Sequence, residues 1–437
     1  MKHSLLPLLL LSVGLSSPLY ANSEIENTWQ QLLTEHAGLA AEQQTLTARE
    51  ADLSVARGRR LPSISLTSQW NLMDDELGVW FDTSTLMPGG GPVYFPVQEE
   101  SFWDTELTAT LPLFTGGKIS AGIDAKQAEI RLQQAKVAQS QQSLFVRYVE
   151  RYLQVTLAKQ NRDIRKLALD SLESQLARAI RMQQEGTIAY TERLQAEVER
   201  DKARREWRAA VSNYELAAQA YQSMFANAPA LPVEPMRFQP YTTLDAADLT
   251  QQTLVTHPGL QQVNAKHDLA DAAVKASRAD LLPTVGLFAK TELATDDLTQ
   301  LDPEWTAGVR LSWHLFGNGN RWQAIQSQHA NQRAAELTGQ QLERDLTVGV
   351  QKQLTAISQA IEAIEALDSS VKLAEENLRL QSAAFNQGVA TSLDKIDAQL
   401  LLTGLQLEQQ RALYDYYVAV AQLTAMTGNV DSFFQLF

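Results

Sequence analysis

The sequence predicts a mainly α-helical chain, duplicated internally, that also carries four β-strands suited to a membrane β-barrel. Three observations predict it. Two proline-free runs, Lys118 to Glu185 and Asn320 to Gln387, each span 68 residues. They are rich in Ala, Gln, Leu, Glu, Lys and Arg, which lose least on entering a helix. Second, the runs are copies by position. Leu113 and Leu315, Phe114 and Phe316, Gly186 and Gly388, Tyr214 and Tyr416, and Met224 and Met426 are all 202 residues apart. A single offset held this far marks a duplication without a gap. Third, four short segments leave the helical period for apolar/polar alternation.

The elements follow in chain order. Lys2 and His3 precede an apolar stretch from Leu5 to Leu15, and small residues lead to Ala21. Residues 1–21 read as a secretory signal peptide, too short to span a bilayer comfortably. The first repeat, 22–226, opens on one predicted helix from Glu24 to Gly58, with Trp29, Leu32, Leu33, His36, Leu39 and Ala40 at helical spacing. Pro62 stops it. In the strand 62–71, Ile64, Leu66 and Trp70 alternate with Ser63, Ser65, Thr67 and Gln69. Residues 71–101 hold Gly78, Pro88, Gly89, Gly90, Gly91, Pro92 and Pro96 and read as a long loop. The strand 102–114 sets Leu107, Ala109, Leu111 and Leu113 against Asp104, Glu106, Thr108 and Thr110. The long helix 118–185 follows, then Gly186, then a return helix from about Tyr190 to Phe225.

Residues 227–245, with Pro229, Pro232, Pro235 and Pro240, read as an irregular connector. The second repeat, 246–437, has a helix to Leu281 with a break at Pro258-Gly259. Its strands are 283–291, with Phe288 out of pattern, and 304–316. In the latter, Trp305, Val309, Leu311, Trp313 and Leu315 oppose Thr306, Arg310, Ser312 and His314. The long helix 320–387 and a return helix to about Met426 complete it.

Composition narrows the function. The formal charge of −14 disfavours nucleic acid as a partner. Beyond the leader no apolar run reaches the length of a membrane helix. The histidines His36, His257, His267, His314 and His329 show no metal-ligand spacing, and neither a nucleophile motif nor a phosphate loop is present. The sequence therefore predicts no enzyme, no cofactor and no metal. No cysteine exists, so neither a disulfide nor an acylated N-terminal cysteine can form.

Strands of about ten residues match a tilted bilayer crossing. Trp70, Trp103 and Trp305 sit near strand ends, where tryptophan favours the membrane interface. Four strands cannot close a barrel, and each unpaired backbone group in lipid costs several kcal/mol. Several chains must therefore share one barrel, and three would supply twelve strands. Along the first long helix, Ile119, Ile123, Ile130, Val137, Leu144 and Val149 recur with alanines between them. That stripe is bundle core for antiparallel, coiled-coil packing.

Leu113-Phe114-Thr115-Gly116-Gly117 and Leu315-Phe316-Gly317-Asn318-Gly319 form a duplicated Leu-Phe-x-x-Gly corner. Leu61-Pro62 and Leu282-Pro283 open the strands, and Gln184-Glu185-Gly186-Thr187 and Asn386-Gln387-Gly388-Val389 form the turns. In these features the chain resembles the TolC-like outer-membrane efflux proteins over essentially its whole mature length. The resemblance implies a homotrimer with a twelve-stranded barrel in the outer membrane and a helical duct through the periplasm. It implies docking to a periplasmic adaptor and an inner-membrane pump, for efflux or type I secretion, and closure at the helix turns. It also implies that Asp394 and Asp397, three apart on one helix face, ring the closed entrance and raise one another's pKa. Taken alone, the two acids read as helix N-terminal charges favoured by the dipole. Glu192 stands where the family has an acid that locks the turns. Its usual Tyr and Arg partners are here Phe385 and Ala390, so the entrance is secured differently, with Arg193 or Lys395 as substitutes. The rival reading is a non-transport periplasmic coiled-coil scaffold or tether. A passive porin fits less well, because porins are mostly strand.

Overall fold

The computed structural model describes residues 24–242, 245–295, 303–316 and 319–437. The leader, and Gly317 and Asn318 of the second corner, lie outside the described residues. The chain divides into two compact units, and both long helices contribute to each. One unit comprises Gly38–Gln141 and Ala247–Val350. The other comprises the described residues up to Ala37, Gln142–Ala246 and Gln351–Phe437.

The first helical stretch is two helices, not one: α1, Glu24–Glu35, and α2, Ala37–Gly58. The unit boundary falls at this break. Ile25, Trp29 and Leu32 serve one core, Leu39 and Ala56 the other, so a single apolar stripe is not needed. Four strands follow: β1, Ser63–Leu72; β2, Leu77–Asp82; β3, Pro92–Gln98; and β4, Ser101–Phe114. Residues 71–101 are therefore not a plain loop. β2 and β3 form a separate two-stranded hairpin around a 3₁₀ turn at Thr83–Thr85. Pro92 and Pro96 masked it. In a two-stranded sheet both strands are edges, so a proline can sit where no ladder bond is required.

The remaining elements are α3, Lys118–Gln184; α4, Tyr190–Gln222; α5, Ala246–Thr256; α6, Pro258–Ala279; β5, Thr284–Thr295; β6, Trp305–Ser312; α7, Arg321–Asn386; α8, Ser392–Thr427; and α9, Asp431–Phe434. β6 ends at Ser312 instead of 316, and Trp313 turns its indole N–H to Leu281 O at 3.1 Å. Pro258 starts α6, and His257 caps it by accepting the Gly259 N–H at 3.1 Å.

In the first-named unit, β1, β4, β5 and β6 make one antiparallel sheet in the order β1-β4-β5-β6. The register sorts its side chains. Ile64, Leu66, Trp70, Trp103, Leu107, Leu111, Leu287, Trp305, Val309 and Leu311 fall on one face. Ser63, Thr67, Gln69, Asp104, Glu106, Thr108, Lys290 and Arg310 fall on the other, where Lys290 and Glu106 pair at 2.7 Å. Phe288 lies on this polar face. Its ring backs onto the cross-strand Gly308 and carries the Arg310 guanidinium 4.7 Å from its centroid. That contact accounts for the break in alternation.

The sheet's apolar face is bare: Ile64 is 72% exposed, Leu66 62% and Val309 65%. Among the described residues no layer covers it, as one would in a soluble sheet. Nor, among the same residues, does any strand pair with the outer edges, on β1 and β6.

The helices of this unit repeat the order of the strands. Arg49 of α2 pairs with Glu129 of α3, and Gln133 of α3 donates to the Glu42 carboxylate. Arg131 and Lys118 of α3 reach Asp268 and Asp280, at 2.8 and 2.7 Å, on and just past α6. His267 and Arg278 of α6 meet Glu336 and His329 of α7. The neighbour order α2-α3-α6-α7 is that of the strands each helix adjoins in sequence. At the β4–α3 corner, Gly116 has φ +62°, and a Cβ there would stand 2.8 Å from Ala279 O.

The second unit has an aromatic core. Trp29, Phe145, Tyr148, Tyr221 and Phe225 pack around α1, α3 and α4; Tyr416, Tyr417, Phe433 and Phe437 pack around α8 and α9. Three of the buried hydroxyls bond to backbone carbonyls: Tyr148 donates to Ile25 O at 2.6 Å, Tyr416 to Gln239 O at 2.8 Å and Tyr417 to Arg237 O at 2.5 Å. The last two pin the irregular connector. Burial raises the Tyr417 hydroxyl to about 12.

Candidate functional site

The two helix turns of the second unit are the candidate site. Each long helix ends in the same backbone motif. Gly186 and Gly388 take φ +72° and +73°, a left-handed conformation that glycine adopts without steric cost. The Thr187 N–H reaches Met182 O at 2.9 Å and the Gly186 N–H reaches Gln183 O at 3.1 Å. Val389 to Ala384 and Gly388 to Phe385 repeat these bonds at 2.9 and 3.1 Å. This is the Schellman arrangement, which satisfies the last carbonyls of a helix. Its bonds sit 202 residues apart, like the sequence landmarks.

The return helices start differently. α4 begins after Ala189, which gives no side-chain cap. α8 begins after Thr391 with a full capping box. Asp394 Oδ2 accepts the Thr391 N–H at 2.8 Å and its hydroxyl at 2.7 Å, and the Asp394 N–H donates to Thr391 Oγ1 at 3.2 Å. Those bonds lower the Asp394 pKa within the single chain. Asp397, one turn on, is exposed.

The second turn is tied to the first repeat. Gln175 of α3, fully buried, donates its amide to Ser392 O at 2.9 Å. Arg178, three residues on, donates to Asn386 Oδ1 at 2.9 Å. Beneath them Leu172, Leu176 and Ala179 of α3 pack with Ala196 of α4 and Ile396 of α8. Together they join α3 to both ends of the second turn.

Phe385 is buried, and Lys395 places its ammonium 5.8 Å from the ring centroid. Burial, and then the nearby Arg178, lower the Lys395 pKa. Glu192 stands in the first turn of α4 and makes no ion pair among the described residues. Arg193 instead stacks on Tyr190 at 5.2 Å and reaches Glu197 at 3.5 Å. Arg193 therefore stays within its own helix, while Lys395 lies against Phe385 and Arg178 bridges the repeats.

Trp70 and Trp103 are direct cross-strand partners, and Trp305 opens β6 opposite Thr291. All three lie toward the ends of the strands that meet the hairpin and interstrand connections. Trp313 and Trp322, both more than half exposed, lie where the sheet meets the helices. The ties made by Gln175, Arg178, Asn386 and Ser392 were not foreseen, since residues over 200 apart share no local pattern. Trp313 and Trp322 were findable as exposed tryptophans beside the second Leu-Phe corner.

Two helix-turn-helix repeats tied at their turns, on a chain bearing an unclosed sheet with one lipid-type face, define a duct-forming outer-membrane protein. The chain belongs to the outer membrane efflux protein family, whose model matches residues 28–226 and 249–429. It is 25% identical over 332 residues to outer membrane efflux protein BepC of Brucella suis, covering 73% of this chain and 71% of BepC. It is 24% identical over 315 residues to alkaline protease secretion protein AprF of Pseudomonas aeruginosa, covering 70% and 65%. The fold is similar to that of the outer membrane protein VceC of Vibrio cholerae, with a TM-score of 0.76 at 15% identity over 94% of this chain and 98% of that one. The protein is an outer-membrane efflux protein, and its place is the outer membrane.

Proposed function

We propose that three copies of this chain complete one twelve-stranded barrel and serve as the exit duct of a tripartite export system. A periplasmic adaptor and an inner-membrane pump feed it, and the pump selects the cargo. The supporting observation is the four-stranded sheet, with an apolar face, a polar face, two open edges and helices in the same neighbour order. Open edges in hydrocarbon leave backbone groups unpaired, so another copy's strand must meet each one.

The entrance closes where the helix turns converge. The Gln175–Ser392 and Arg178–Asn386 bonds hold the second turn against α3, in place of a tyrosine–arginine lock. Glu192 contributes charge at the first turn. Asp397, exposed and one turn beyond the capping Asp394, carries the larger part of a carboxylate ring that draws cations. Planar-bilayer recording of Asp394→Ala/Asp397→Ala tests the ring. Loss of cation preference is the expected result, and an unchanged reversal potential removes the ring.

A further inference from the structure

Among the described residues the β2–β3 hairpin has no counterpart in the second repeat. Pro62 to Phe114 is 52 residues, whereas Pro283 to Phe316 is 33. The hairpin is apolar on both faces. Trp80 and Tyr94 are direct cross-strand partners with ring centroids 5.0 Å apart, so they share one face. Val79, Phe81, Val93 and Phe95 share the other, with Phe81 and Phe95 edge to face at 5.5 Å. Trp80 is 67% exposed and Phe81 56%. A lone two-stranded hairpin is marginal in water, and an exposed apolar patch of this kind marks an interaction surface.

Position and charge select the occupant. The hairpin rises from β1, an outer edge of the sheet. On the shared-barrel reading that edge is the seam with the next copy. From Leu61 to Gly117 the chain holds eight Asp and Glu and no Lys, Arg or His. Five of the acids, Asp74, Asp75, Glu76, Glu99 and Glu100, flank the hairpin's base. Such a segment is repelled by the anionic headgroups of a lipid surface. Asp82, on the Trp80 face, is engaged by the Ser84 N–H at 2.9 Å. Two different apolar faces are also what a closed three-fold ring requires, because each member meets one neighbour through each face.

We propose that the hairpins of three subunits pack face to back into a collar over the barrel mouth. The Trp80/Tyr94 face of each lies on the Val79/Phe81/Val93/Phe95 face of the next. The inference rests on the trimeric reading. The protein has no cysteine of its own, so Val79→Cys/Tyr94→Cys places one thiol on each face. Within a chain these point apart and cannot bridge.

Oxidation of the full-length double variant in detergent is expected to give a covalent trimer on a non-reducing denaturing gel, with neither single variant cross-linking. A separate Phe81→Cys variant is expected to react with a water-soluble maleimide at least tenfold more slowly in the trimer than after denaturation. A double variant that is trimeric by light scattering but stays uncross-linked overturns the collar and leaves the trimer standing. Phe81→Cys protection that needs lipid vesicles overturns it in favour of a bilayer contact. A monomer by light scattering overturns both.

Discussion

Replacing Gln175 by leucine and Arg178 by alanine should loosen the second turn without disturbing the helices that carry it. Leucine fills most of the buried glutamine's volume and cannot donate to Ser392 O, which lies 2.9 Å from the amide nitrogen. The lost bond is worth about 1 kcal/mol. The Arg178–Asn386 bond is solvent-exposed and adds at most about the same again. A total of about 1–2 kcal/mol multiplies the open-to-closed ratio roughly 5- to 30-fold. The apolar contacts of Leu172, Leu176 and Ile396 remain, so the trimer should still assemble. Single-channel recording in planar bilayers is the assay, with the parent protein as reference. The variant should dwell in a higher-conductance state that the parent visits rarely. A correctly assembled variant with the parent's conductance and dwell times would refute the claim that these bonds hold the entrance.

Three further outcomes follow from the same structure. Gly388→Ala should destabilise the second turn by roughly 1–2 kcal/mol through its left-handed backbone alone, since a Cβ there meets nothing within 4 Å; denaturant unfolding should show the loss, and Gly388→Asn should restore part of it. His257 accepts the Gly259 N–H only as a neutral ring, and burial lowers its pKa below 6.5. The cap's contribution is therefore complete above the unfolded value and lost as pH falls through the folded one. The protection factors of amides at the start of α6, taken against the intrinsic exchange rate at each pH, should fall from pH 8 to pH 5 in the parent protein, and His257→Asn should abolish that fall. Phe288→Ala should remove the cover over Gly308 and the stacking partner of Arg310, and heat-induced trimer dissociation on a gel should move to lower temperature.

The duplication was readable because both repeats keep one spacing from the Leu-Phe corner to the turn glycine. The long helices were readable because nothing in either run breaks a helix. The strands were readable by alternation, except at Phe288, where a neighbouring glycine and an arginine replace the usual partner. The hairpin β2–β3 was hidden because Gly78, Pro92 and Pro96 break strand patterns, although an isolated pair of edge strands tolerates them. The turns themselves were legible from Gly186 and Gly388; their fastening was not. Gln175, Arg178, Asn386 and Ser392 meet across more than 200 residues, and each alone reads as an ordinary helix surface or cap. Asp394 shows the same limit: its position suits a charged ring or a helix N-terminal charge, and the bonds its carboxylate accepts from Thr391 are seen only in the fold.

The most direct test is the mass of the purified full-length protein in detergent, measured by light scattering with the bound detergent subtracted. Three chains per particle, which aggregate when the detergent is withdrawn, is the result expected of a barrel that each subunit builds only in part. A single chain that remains dispersed in plain buffer would contradict it.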